Sequence, residues 1–345
     1  MTRHLLTLVW NRKRTTLLVM VEIAAAFVVL SLVAIFAVYA LDNWRRPIGF
    51  TWTDVWDVEV DRNAGGSEGQ VVQQQIVVEA GGGGTGQPAG EPAAATPAAA
   101  PAEPEPVPAG REVLRQLLLA LEEFPEVEVV ATAGVAPFEM GGMFEARQVS
   151  GRRLEFGVNE VSDDYARLLG LQVTRGRWFG PEDTGQAYDA VVITEDFVRE
   201  WFDGADPVGK PLVELDAEDL QRGTRTTRIV GVVGAYREDG EFDGTRNFAL
   251  YRSDLGAPSA RRERLPRHIL IRVRPGTTAA FEERLVGRLQ AVAPAWSFEV
   301  RQTAAMRDSQ TRLTVTPLIA VGTVAGSLLV MVALVAASPE VPYLT

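Results

Sequence analysis

LLVMVEIAAAFVVLSLVAIFAVYAL, residues 17–41, is a run whose only acidic or basic side chain is Glu22. As a helix rising about 1.5 Å per residue it reaches about 37 Å, enough to cross a hydrocarbon layer of about 30 Å with some tilt. The reading is a transmembrane helix over 15–41. Arg3, Arg12, Lys13 and Arg14 precede it with no acidic residue, which places residues 1–14 in the cytoplasm. A signal peptide cut near Val38-Tyr39-Ala40 is the rival, but this apolar run is longer than the roughly 7 to 15 residues of a signal core. Residues 318–337 also carry no charge and follow Pro317, which suits a helix N-terminus because its missing N–H has no intrahelical partner there. A second span is therefore expected over 314–337, with a short tail over 338–345. Two spans bracketing a long hydrophilic segment predict a membrane protein with an extracytoplasmic domain.

The chain carries a net charge of −11, and the basic cluster ahead of the first span leaves the intervening segment more acidic still. Such a domain repels nucleic acid and anionic lipid surfaces. There is no cysteine, which excludes zinc–thiolate sites, a thiol nucleophile and thiol redox chemistry. Of the two histidines, His4 precedes the first span and His268 begins an alternating strand, so no His cluster for a metal or a catalytic triad is expected. No Gly-x-Ser-x-Gly or His-Glu-x-x-His frame occurs. The expectation is a protein without catalytic residues, metal or cofactor.

Past the first span, Trp44, Arg45, Arg46, Phe50 and Trp52 read as an interfacial belt. Residues 54–61 and 71–79 read as strands. Residues 80–110, almost all Gly, Ala, Pro, Thr and Glu, are expected to be a disordered insertion. Residues 111–124 form an amphipathic helix with Val113, Leu114, Leu117, Leu118 and Leu121 on one face, stopped by Pro125 and followed by a strand over 127–132. The same grammar returns later. Ile269, Ile271 and Val273 alternate in 267–274, Phe281, Leu285 and Leu289 recur at spacing four in 277–292, and 296–300 is a strand. Two such units predict one split βαβ lobe on a shared sheet, built from 42–150 and 263–313. Between them, 151–262 reads as an inserted mixed α/β lobe. Its strands are expected near 153–160, 189–194, 211–215, 226–236 and 247–251, and its helices over 162–170 and 195–202, the first capped by Ser162-Asp163-Asp164 and stopped by Gly170.

Gly204-Ala205-Asp206-Pro207-Val208-Gly209-Lys210-Pro211 matches seven positions of a phosphate-binding loop, yet Pro211 stands where Ser or Thr would hold magnesium. The turn leads into no helix, so ATP binding is not expected. Glu22 is an intramembrane carboxylate that meets a polar partner, snorkels to the headgroups or is protonated. Gly322 and Gly326 form a small-xxx-small seam that would admit another helix. The pairs Asp163–Asp164 and Glu182–Asp183 read as surface or capping groups rather than calcium or acid–base sites.

Asn159-Glu160-Val161-Ser162-Asp163-Asp164-Tyr165, Leu169-Gly170-Leu171, Arg175-Gly176-Arg177-Trp178-Phe179 with Glu182-Asp183, Ala190-Val191-Val192-Ile193-Thr194, Trp201-Phe202, Asp206-Pro207-Val208-Gly209-Lys210 and Ile229-Val230-Gly231-Val232-Val233 follow one another in an order and spacing that resembles the periplasmic core domain of MacB-like and FtsX-like ABC transporter permeases. Trp10-Asn11-Arg12-Lys13-Arg14 and the first span resemble the same family's amino terminus. The resemblance implies that Tyr165, Gly170, Gly176, Arg177, Asp183, Pro207, Gly209, Lys210 and Gly231 are structural motif positions and that the βαβ lobe is porter-like. It implies a bacterial cytoplasmic (inner) membrane subunit, multi-pass, working as a homodimer or hetero-oligomer of permeases. Its partners would be the lipid bilayer, an ABC-type ATPase that drives it and an extracytoplasmic protein. The work would be export, lipoprotein release or mechanotransmission. Such permeases have four spans, so a chain ending after the second is expected to be truncated. A two-span anchored binding or sensor protein and a non-functional truncated permease stay open as alternatives.

Overall fold

In the computed structural model, residues 13–62, 107–139, 141–149, 152–212, 225–242, 247–253, 255 and 265–337 are described. The basic residues Arg3 and Arg12, the expected strand over 71–79, most of the 80–110 insertion and the tail over 338–345 lie outside them. Two long helices, α1 (Lys13–Arg45) and α6 (Thr303–Ala337), bracket the domain. Each contains a stretch long and apolar enough to cross a membrane, Ile23–Arg45 and Thr303–Met331, and neither stretch is covered by the rest of the chain. The core helix of a soluble protein would be buried. The two pack on each other through small residues, with Ala26 and Ala325 buried.

Two sequence expectations about these helices need correction. α1 continues past Leu41 to Arg45, because its last turn is seated on the domain, where Asn43 is buried. α6 starts immediately after the last strand, so Pro317 sits inside the helix rather than at its start. A proline there removes one helical hydrogen bond, and the residues ahead of it are held by side-chain contacts with the domain described below.

The domain is built on one ten-stranded sheet of order β10-β1-β9-β2-β4-β8-β6-β7-β5, with β3 attached to β4. Its strands are β1 (Val55–Asp61), β2 (Val127–Ala133), β3 (Met143–Val149), β4 (Arg152–Val161), β5 (Val173–Gly176), β6 (Tyr188–Thr194), β7 (Thr226–Val233), β8 (Phe248–Arg252), β9 (His268–Val273) and β10 (Ser297–Gln302). One half is β10-β1-β9-β2, antiparallel throughout, crossed by α2 (Val107–Glu122) and α5 (Ala279–Val292). This interleaves β1-α2-β2 with β9-α5-β10, the split βαβ arrangement. Alternation explains it: Trp56, Val58 and Val60 of β1 and Ile269, Ile271 and Val273 of β9 all point to one face. There they meet Leu114, Leu117 and Leu121 of α2 and Phe281, Leu285 and Leu289 of α5. α2 begins at Val107, so 107–110 is helical and not part of a disordered insertion. Gly110 is buried, and a Cβ there would lie 2.7 Å from Leu265, so the packing rather than the composition recruits that turn.

The other half, β4-β8-β6-β7-β5, mixes parallel pairs (β4–β8, β6–β7) with antiparallel ones. The halves join at β2–β4 through a single register pair, Ala133 with Val161. One face of this half is covered by α4 (Glu195–Trp201), whose N-cap Thr194 accepts from the Phe197 N–H. The other face carries α3 (Tyr165–Leu169) and a core that runs across both halves, from Val55, Ala131 and Leu270 to Val192, Val233 and Leu250.

β3 and β5 add to the strands expected from the sequence, β7 ends at Val233 rather than 236, and of the strand expected near 211–215 only Pro211–Leu212, which is not a strand, lies among the described residues. Ser162-Asp163-Asp164 does not cap α3: Asp164 is the N-cap but makes no side-chain capping bond. Ser162 Oγ accepts from the Thr132 N–H instead, and Asp163 is gripped by both Arg252 Nε (2.7 Å) and Nη2 (2.8 Å). Gly170 does end α3 in the left-handed conformation, φ 68°.

Candidate coupling joint at the membrane root

Several of the motif positions of the β4-β8-β6-β7-β5 half lie in close backbone contacts and one ion pair. Arg177 forks onto the buried Asp183 with two bonds of 2.7 Å, and Asp183 also accepts from the Gly180 N–H. Burial would raise the Asp183 carboxyl, but the Arg177 guanidinium outweighs it and holds it below its ordinary range. Gly231 lets β7 pass close beneath this fork, since a Cβ there would sit 2.0 Å from the Arg177 carbonyl oxygen. Gly176 adopts φ 66° beside it, where a Cβ would lie 2.4 Å from the Val230 carbonyl oxygen. The Asp206–Lys210 turn is tied to β7. Asp206 Oδ1 accepts from the Val208 N–H, Gly209 N–H donates to Ile229 O, and Lys210 N–H donates to the Pro207 carbonyl. With the Gly209 and Lys210 amides so engaged and Lys210 Nζ over the Phe202 ring, the turn does not present the amide cradle of a phosphate loop.

In the membrane-spanning pair, the helix backbone includes Glu22, whose side chain lies outside the described residues. A Cβ on Gly322 would touch Val33 of α1 at 3.5 Å, whereas one on Gly326 would meet nothing within 4 Å. Gly322 thus lies at the α1–α6 contact and Gly326 on an open side.

Sequence reasoning singled out none of the loop after β7, residues 234–242, where the domain meets both helices. Arg237, Glu238, Asp239 and Glu241 are all buried there. Arg237 N–H donates to Ile48 O, its Nη1 to Asn43 O in the last turn of α1 (2.8 Å), and its Nη2 to Glu241 O (2.9 Å). From α6, Gln310 Nε2 donates to Asp239 O (2.7 Å), and Arg307 clasps Glu241 Oε1 while lying over the rings of Trp44 and Trp52. Gly49, φ 92°, permits the close approach of the segment after α1: a Cβ there would lie 1.7 Å from the Ala235 carbonyl oxygen.

Behind the loop runs a buried hydrogen-bonded chain. The Tyr165 and Tyr236 hydroxyls share a bond of 2.7 Å, Tyr236 OH donates to Glu238 Oε1 (2.8 Å), and Asn159 Nδ2 donates to the same oxygen (2.5 Å). Burial, reinforced by neighbouring Asp239, pushes the Glu238 carboxyl up to about 8 against the opposing pull of the Tyr236 and Asn159 bonds. Burial raises both tyrosines well above their ordinary value. At neutral pH the raised Glu238 carboxyl retains its proton, and the Tyr165–Tyr236–Glu238–Asn159 chain is held by neutral hydrogen bonds.

The sheet face of the βαβ half opposite α2 and α5 holds a second, buried polar cluster. His268 is buried between Asp57, 3.0 Å from Nδ1, and Glu139, 2.9 Å from Nε2. Burial alone would lower the imidazole, but the bonds to Asp57 and Glu139 and their charges lift it to about 9. Ligand atoms of Glu59, Glu139 and His268 lie within 4.8 Å of one another. Both His268 nitrogens already face carboxylates, and Glu59 is paired with Arg267 and Arg301, so the group is a closed ion network as it stands. The strand register brings it together, Asp57 opposite Arg301 and Glu59 opposite His268.

Comparison with curated proteins gives no match. Among solved structures, the periplasmic region of MacB from Actinobacillus actinomycetemcomitans is similar at TM-score 0.44 and 11% identity, covering 78% of this chain and 97% of that one. The extracellular domain of the ABC-type transporter YknZ from Gram-positive bacteria gives 0.38 and 14%, covering 53% and 87%. A domain of a permease protein from Porphyromonas gingivalis gives 0.34 and 16%, covering 52% and 79%. The family model of the MacB-like periplasmic core domain matches residues 15–288, most of the chain, and the protein belongs to that family.

Proposed function

We propose that this chain is the membrane subunit of an ABC transporter and relays the ATP-driven motion of a partner ATPase from the cytoplasm to its extracytoplasmic domain. On this reading, residues 42–150 with 263–313 form the membrane-proximal lobe, 151–262 the distal one, and the protein resides in a bacterial inner membrane as a homodimer or hetero-oligomer. Chemistry belongs to the ATPase. The work is export, lipoprotein release or mechanotransmission to an extracytoplasmic partner.

The observation that carries the reading is the loop over 234–242. It belongs to the distal half of the sheet, yet it is bonded to α1 through Arg237 and to α6 through Asp239 and Glu241. A relative shift of the two helices therefore acts on one short segment that continues directly from the end of β7. Buried, mutually bonded polar groups resist small deformation and transmit it. Gly326, on the open side of α6, offers close approach to a further helix.

The test combines association and motion. The full chain is isolated from membranes of its host, co-purifying proteins are identified, and ATP hydrolysis is followed with and without a cross-linked Asp239→Cys/Gln310→Cys pair. An ABC-type ATPase in stoichiometric amount, uncoupled from extracytoplasmic work by the cross-link, supports the reading. Isolation without any ATPase overturns it in favour of an anchored binding or sensor protein.

A further inference from the structure

We propose that the cleft at the foot of α1 is a seat for one phospholipid headgroup bearing both a primary amine and a phosphate, of the phosphatidylethanolamine type. The cleft measures about 500 Å³ and is walled by Trp44, Arg46, Trp52, Glu241 and Arg307. That volume lies in the range of about 300–1,000 Å³ in which proteins hold small molecules. The apolar stretch of α1 ends at Arg45, so the cleft opens at headgroup depth, where indole rings prefer to sit. The inference rests on the membrane placement of α1 and α6 and not on coupling to an ATPase.

The polar groups select the headgroup. Glu241 is 3% exposed, and its Oε1 receives Arg307. Its other oxygen, Oε2, is buried and has no hydrogen-bond partner among the described residues. A buried carboxylate oxygen without a donor is costly, and a primary ammonium brings three donors. Arg307 is fixed in place, stacked on Trp44 at 5.1 Å and Trp52 at 4.7 Å. Arg46 is the second cation on the rim, its guanidinium held among the described residues by an exposed pair with Asp42. Such a pair contributes little, so a phosphate can take its place on the guanidinium. An amine acceptor in the buried wall of the cleft and a phosphate donor on its exposed rim match a zwitterionic headgroup. Phosphatidylglycerol lacks the amine, and phosphatidylcholine has an ammonium without N–H donors. The acidic domain above further disfavours anionic lipid.

The test is native mass spectrometry of the full chain in detergent with equal phosphatidylethanolamine, phosphatidylcholine and phosphatidylglycerol, and with soluble phosphoethanolamine as competitor. One phosphatidylethanolamine should be retained about tenfold over the other two, the scale of one charge-assisted hydrogen bond. Glu241→Gln should abolish the preference. Arg46→Gln, which leaves the Arg307–Glu241 clasp intact, should weaken retention without lowering the melting temperature, and phosphoethanolamine should compete. Equal retention of the three lipids overturns the proposal, as does a preference that survives both substitutions. Binding of phosphoethanolamine with no lipid retained overturns the lipid as its source. Each outcome can be read whether or not an ATPase co-purifies.

Discussion

Arg237 Nη1 donates to the backbone carbonyl of Asn43 over 2.8 Å, so a side chain from the loop after β7 caps the last turn of the first membrane helix. The final carbonyls of a helix lack intrahelical partners and carry the negative end of its dipole, which makes a guanidinium a fitting cap. The second arm of the same group holds Glu241 O, whose side chain holds Arg307 of α6. One guanidinium therefore sits between both helix roots.

Arg237→Ala should destabilise the domain by about 3 kcal/mol, because it strips two buried carbonyls of a charged donor and leaves a void. Arg237→Lys should recover only part of this, since an ammonium does not reproduce the fork. Thermal unfolding of the full chain in detergent, with hydrogen exchange followed at residues 43–48, reads both effects. A melting temperature unchanged in the alanine variant would refute the cap.

Stability should fall as pH rises across the neutral range. Glu238 binds its proton up to about 8 in the folded chain, against an ordinary 4.5, and His268 up to about 9, against 6.5. In both cases the folded state holds a proton that the unfolded state has released. Each contribution is complete below the ordinary value and is lost as pH climbs through the folded one. The slope is about 1.4 kcal/mol per pH unit for each group. Glu238→Gln should flatten the profile between 4.5 and 8, and His268→Gln between 6.5 and 9. Denaturant titrations of the three proteins at several pH values check the sign, and a wild-type profile rising through this range would contradict it.

Asp183→Asn should cost about 2 kcal/mol. It leaves Arg177 with one weakened bond where there were two of 2.7 Å, in a site where the carboxylate is buried. Combining it with Arg177→Gln should cost less than the two single changes added, because both break the same pair. Additive losses in equilibrium unfolding would show that the fork contributes nothing.

Two glycines should respond oppositely to alanine. At Gly231 the new Cβ would fall 2.0 Å from a backbone oxygen, so β7 or the Arg177 segment must move, at about 2 kcal/mol or more. At Gly326 nothing lies within 4 Å, and the melting temperature of the isolated chain should hold. Loss of self-association in Gly326→Ala, read by cross-linking in membranes, would mark that face as a helix contact.

Much of the architecture was legible because it depends on local periodicity. The charge-free runs, the stripe Leu114, Leu117, Leu121 and the alternation of Ile269, Ile271 and Val273 each report which face of one element avoids water, and the burial agrees. Where long-range packing decided, the reading failed. The helical turn over 107–110 exists because Gly110 fits against Leu265, and α6 runs through Pro317 because Thr303, Arg307 and Gln310 are held by the domain.

The sequence by itself determined the two spans, the split βαβ lobe and the run of motif positions from Tyr165 to Gly231, since hydropathy, period and spacing are properties of adjacent residues. Only the tertiary structure decided the joint and the His268 cluster. Asn43 meets Arg237 across 194 positions, Asp239 meets Gln310 across 71, and Asp57 meets His268 across 211. Charged residues scattered through a chain look alike on a solvated surface and in a buried network. What separates them is the desolvation that sheet register and helix docking impose, which no local pattern carries.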